Sequence, residues 1–97
     1  GNVIEVSATK DEIRVLGHSG YAPPGQDIVC AAVSTLTQGL IASIEGLTGD
    51  RPDYTIAPGV FILKIKDLSA KAKLLVDSFF IGISGTIDAY TEYVRIV

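Results

Sequence analysis

The chain has 97 residues, 47% hydrophobic and 20% charged, and a formal net charge of −3 from 8 basic and 11 acidic side chains. That length makes one domain, expected over 1–97, with one modest core. The acidic balance argues against a nucleic-acid binder held by phosphate contacts, and a single cysteine excludes an internal disulfide.

In chain order, "VIEVSAT" (3–9) alternates apolar and polar positions, as a half-buried strand does. "KD" turns the chain, and "EIRVLGH" (12–18) alternates again, so the two segments are expected to form a hairpin. No secretory leader is expected from this opening, because residues 1–16 carry charges and alternate in polarity. Residues 19–26 hold Gly20, Pro23, Pro24 and Gly25, and no helix continues through them.

Asp27 suits a helix N-cap, its carboxylate accepting from an N–H of the first turn. The helix is expected to run to about Leu47, with Gly46 and Gly49 as stop signals and a core stripe of Val29, Val33, Leu36, Leu40, Ile44 and Leu47. This stretch is the most apolar in the chain. Ser34, Thr35, Thr37, Gln38, Ser43 and Glu45 make it too polar for an unbroken membrane span, and no membrane partner is expected.

"DRPD" (50–53) is a turn, "YTIA" (54–57) a short strand, "PG" (58–59) punctuation and "VFILKIK" (60–66) a β-branched strand. Ser69 can cap a second helix over about 70–90, with a stripe of Ala72, Leu75, Val76, Phe79, Ile83, Ile87 and Tyr90. "YVRIV" (93–97) ends the chain as a strand. The order β-β-α-β-β-α-β gives an α/β fold of the α+β kind, a two-layer sandwich of about five strands with both helices on one face.

The only histidine, His18, and the only cysteine, Cys30, bracket the Gly/Pro-rich loop. As the third residue of the helix, Cys30 would meet unpaired N–H groups and the positive end of the helix dipole. Both favour thiolate, the nucleophilic form. A thiol and an imidazole within hydrogen-bond reach make a nucleophile and its base, and Asp27 is the nearest group to orient the ring. Against this stands the common role of a free cysteine as a small buried hydrophobe. "GHSGYAPPG" lacks the lysine of a phosphate loop and the spacing of a dinucleotide fingerprint. One His and one Cys cannot make a four-ligand zinc site without several carboxylates. No metal and no cofactor are expected.

"GHSGYAPPGQDIVCAAVSTL" (17–36) closely resembles the signature of the Prp family, the ribosomal-processing cysteine proteases. The matching residues are Gly17, His18, Ser19, Tyr21, Gly25, Asp27, Ile28, Val29, Cys30, Ala31, Ala32, Val33 and Ser34. Ser19 is the one departure, standing where the family usually has alanine.

The resemblance implies a cytoplasmic cysteine endopeptidase, usually a homodimer. Such enzymes remove an N-terminal extension from a large-subunit ribosomal protein during ribosome assembly, in Firmicutes and their relatives. It places the nucleophile at Cys30 and the base at His18, and maps the family's aspartate before the Ile-Val-Cys run onto Asp27. Gly17, Ser19, Gly20, Tyr21, Gly25 and Ser34 are the candidate substrate contacts. Read with the residue chemistry, the loop would close on a peptide and bring His18 toward Cys30. Backbone N–H groups at the helix start, that of Cys30 included, would hold the oxyanion. A non-catalytic dimeric assembly module and a thiol redox sensor are the competing readings. A dimer would pair either through Leu74 and Ile81 on the outer face of the second helix, with Ser78 and Gly85 beside them, or through the uncovered side of the sheet.

Overall fold

The alternating segments become strands and the 3.6-period segments become helices. The structure, a computed structural model, describes residues 2–97. It contains β1 (Ile4–Ala8), β2 (Glu12–Leu16), α1 (Ile28–Leu47), β3 (Tyr54–Ala57), β4 (Val60–Lys64), α2 (Ala70–Ala89) and β5 (Val94–Ile96). β3 has the expected bounds, and the other strands are shorter than expected by one or two residues at an end.

One five-stranded sheet has the order β3-β4-β2-β1-β5. Its pairs are antiparallel except β1 with β5, which run parallel. Alternation sends Ile4, Val6, Ile13, Val15, Phe61, Leu63 and Val94 into the core. Both helices supply the other half of that core, through Val29, Val33, Leu40, Ile41 and Ile44 of α1 and Ala72, Val76, Phe79 and Ile83 of α2. Alternate residues on the other face form ion pairs, Glu12 with Arg14 and Lys64, and Glu5 with Arg95. Lys64, then Arg14, by hydrogen bonding, hold the Glu12 carboxyl below its ordinary range. The expected α+β sandwich with five strands and two helices is therefore present.

The α1 stripe differs from expectation at its edges. Thr37 and Ile41 are buried, Leu36 is half-buried, and Leu47 is 69% exposed. The helix packs against α2 as well as the sheet, which widens its buried arc, and its last turn projects past the core. By length and composition α1 could cross a membrane. Here Val29, Val33, Leu40, Ile41 and Ile44 are taken up by the sheet and by α2, while Ile28 and Leu47 stay exposed. The helix ends through Thr48, not through glycine: its N–H and its hydroxyl both donate to the Ile44 carbonyl, the hydroxyl at 2.6 Å.

Candidate active site

Asp27 begins the site, because it fixes both the helix and the loop before it. Its Oδ1 accepts from Val29 N at 3.0 Å and Cys30 N at 2.9 Å, the cap that its position predicts. Its Oδ2 accepts from Ser19 Oγ at 2.5 Å, Tyr21 N at 3.1 Å and Ala22 N at 3.4 Å. One carboxylate thus starts α1 and ties the first half of the loop across that start.

Burial raises the Asp27 carboxyl, but the hydrogen bonds from Ser19, Cys30 and Ala22 outweigh it and bring it from 3.8 down to about 2. The folded value lies below the unfolded one, so the stabilisation is full above the unfolded value and is lost as pH falls through the folded value. Asp27→Asn should therefore flatten the loss of stability between about pH 4 and pH 2, since asparagine still caps the helix. Urea melts of wild type and variant across that window check this. Parallel acid limbs would contradict it.

Among the described residues no hydrogen bond joins Asp27 to His18. In this structure the Asp27 charge faces the loop amides and Ser19. The Cys30 N–H is likewise held by Asp27 Oδ1, so it is not free to receive an oxyanion.

Cys30 follows on the first turn of α1, half-buried. Its Sγ accepts from Ser19 N at 3.5 Å and lies 3.6 Å from Ser19 Oγ. Ser19 is 0% exposed, so it is not a substrate contact. Its single hydroxyl proton goes to Asp27. Its lone pairs accept from Tyr21 N at 3.2 Å and from the Cys30 thiol. Ser19 joins nucleophile, cap and loop.

Tyr21 has a structural part as well. Its ring is edge-on to Tyr93 at 5.2 Å and to Tyr90 at 5.8 Å, so it anchors the loop against the end of α2 and the start of β5. Gly17 does not line the site either. A Cβ there would collide with the Val3 carbonyl, and its φ of +104° suits glycine.

His18 reaches the site through the sheet. Gly17 N, just after β2, donates to Gly59 O in the β3–β4 turn at 2.9 Å. The His18 ring then lies on Gly59, so closely that a Cβ there would sit 2.6 Å from Nε2. With φ at +70° as well, this turn position demands glycine.

Two clefts meet at this point. One, of about 490 Å³, lies between α1 and the β3–β4 hairpin, and its walls include His18, Cys30, Thr37, Gln38, Ile56 and Gly59. The other, of about 680 Å³, lies under the loop, against Gly20, Ala22, Pro24, Gly25, Asp27 and Ala31. His18, Cys30, Ser34 and Pro58 border both. The structure thus brings Cys30, His18, Ser34, Gly20 and Gly25 to one groove. Among the described residues no hydrogen bond joins His18 to Cys30, and no group of three or more His, Cys, Asp or Glu could hold a metal ion.

Sequence reasoning missed Ile56, Pro58, Gly59 and Gln38. "PG" carried a signal for a turn, but nothing in it says that the turn seats the imidazole.

A thiol and an imidazole at the junction of two clefts can attack a carbonyl carbon in a chain lying across both. Comparison with known proteins agrees with that chemistry. The family model described as "Cysteine protease Prp" matches residues 3–95. The ribosomal processing cysteine protease Prp of Staphylococcus aureus is 31% identical over 83 residues, which cover 82% of this chain and 78% of that one. The crystal structure of that organism's essential ribosomal processing protease Prp, with a covalently linked product peptide, superposes with a TM-score of 0.85 at 24% identity, covering 97% of this chain and 95% of the other. SMU.848 from Streptococcus mutans superposes with a TM-score of 0.84 at 26% identity, covering 99% and 93%.

Proposed function

Because this chain belongs to the Prp family of cysteine proteases, matched over residues 3–95, we propose that it is an endopeptidase that removes the N-terminal extension of a large-subunit ribosomal protein, with Cys30 as nucleophile and His18 as base. The observation that carries this reading is the meeting of the only cysteine and the only histidine on the walls of the same two clefts. One S. aureus relative has been crystallised with a substrate peptide, which supports a polypeptide as the occupant.

The chemistry follows from the two groups. The imidazole takes the thiol proton as sulfur adds to the scissile carbonyl. The C–N bond then breaks as the imidazolium returns the proton to the leaving amine. Water, deprotonated by the same imidazole, hydrolyses the thioester and restores the thiol. Ser19 N–H, directed at Sγ, steadies the sulfur while it carries charge. Ala22, Pro24 and Gly25 cover the second cleft, and their closure over a peptide brings His18 within reach of Cys30.

The enzyme works in the cytoplasm, where ribosomes are assembled, as a homodimer. Leu74 and Ile81, 69% and 76% exposed on α2, support pairing through that helix. The uncovered sheet face is studded with ion pairs and suits an apolar contact less.

Intact-mass spectrometry of the host's N-terminally extended ribosomal proteins, incubated with the enzyme, tests the reading. One of them should lose its extension. Unchanged masses throughout, with the protein still bound, would favour the assembly module instead.

A further inference from the structure

We infer that the free edge of β3 accepts the substrate as an added strand, the backbone of Ile56 pairing with the peptide while its side chain lines the cleft. This rests on the peptidase reading above.

The hydrogen-bond phase of the sheet fixes which groups are free. Lys64 N donates to Asp53 O at 2.9 Å, so that pair is a hydrogen-bonded one. In an antiparallel ladder such pairs alternate with non-bonded ones. The register continues as Tyr54 with Leu63, Thr55 with Ile62, Ile56 with Phe61 and Ala57 with Val60. Thr55 and Ala57 therefore bond to β4, and the N–H and C=O of Tyr54 and Ile56 point outward from the edge.

Sheets normally guard such an edge with charge, proline, a bulge or a covering segment. The opposite edge, β5, is three residues long and carries Arg95, paired with Glu5. β3, four residues long and flanked by Pro52 and Pro58, has no charge, proline or bulge within its span. Its residues are Tyr, Thr, Ile and Ala, all exposed, and its register runs through four consecutive pairs without a bulge.

The unguarded edge also lies beside the reactive thiol. The Ile56 side chain, 46% exposed, shares the cleft wall with Ala57, Pro58 and Gly59, opposite Cys30, Ser34 and Gln38 of α1. An extended peptide on this edge runs along the cleft toward the thiol. Main-chain bonds then hold it, and the cleft reads alternate side chains.

Two substitutions at one position separate backbone from side chain. Ile56→Ala removes the side chain and keeps the N–H. Ile56→Pro removes the N–H as well, and an outward-pointing edge N–H is one that a strand can lose. The test measures cleavage of a synthetic peptide spanning the ribosomal protein's extension and cleavage site, with melting temperatures taken alongside. Ile56→Pro should raise KM over Ile56→Ala by roughly three- to tenfold, the equivalent of one net backbone hydrogen bond. With wild-type enzyme, N-methylated peptides two or more residues from the scissile bond should lose turnover at alternate positions only. Equal KM for the two variants, together with no alternation across the N-methyl series, overturns strand addition while leaving the peptidase intact. If Ile56→Pro fails to fold, the N-methyl series decides alone. No cleavage by the wild type overturns the peptidase reading, and the strand proposal with it.

Discussion

Cys30→Ala should abolish cleavage of the extended ribosomal protein, a loss of at least about 10³-fold in kcat, because no thioester can form without the sulfur. The fold should survive. Cys30 is half-buried on the first turn of α1, where alanine is a good helix former. The sulfur makes two hydrogen bonds, both with Ser19. Losing them leaves the Ser19 hydroxyl on Asp27 and Tyr21 N, so no buried polar side chain is orphaned, and costs the long, weak bond from the Ser19 N–H to sulfur. Circular dichroism and a melt close to that of wild type should accompany the lost activity. Substrate binding should persist, since the clefts lose one sulfur atom and nothing else. Residual cleavage near the wild-type rate would move the nucleophile elsewhere. An inactive variant that no longer melts cooperatively would make Cys30 a packing residue. Reversible oxidation of the wild-type thiol with no peptide cleaved would favour the redox reading.

What the sequence made legible was local. Asp27 as cap and Cys30 on the first turn are three positions apart, and capping chemistry is written at that range. The strand and helix order is likewise carried by alternation and by 3.6-residue stripes. Contacts between distant segments were not legible. Tyr21 meets Tyr90 and Tyr93, and nothing near Tyr21 announces partners some seventy residues away, so it read as a substrate contact. Ser19 read the same way until its burial placed it beneath the site. The parallel pairing of β1 with β5 sets the strand order, yet leaves no mark in either strand alone. The family resemblance placed His18 at the site. What brings it there physically is the Gly17–Gly59 hydrogen bond across the sheet, which joins segments about forty residues apart.

His18→Ala should lower kcat/KM by about 10²- to 10⁴-fold, the usual contribution of a positioned general base, and leave the melting temperature nearly unchanged. The stability half follows from its surroundings. His18 is exposed, and its ring rests on the bare Cα of Gly59, so truncation opens space at the surface and none in the core. The Gly17 N–H that holds this end of β2 to the β3–β4 turn belongs to the backbone and survives the change. The activity half follows from proton transfer. Without the imidazole the thiol must lose its proton to bulk water, and the leaving amine must take one from there. Asp27 cannot stand in as the base, because Ser19, Tyr21, Ala22, Val29 and Cys30 occupy its oxygens. A folded His18→Ala protein with near-normal turnover would take the imidazole out of the reaction.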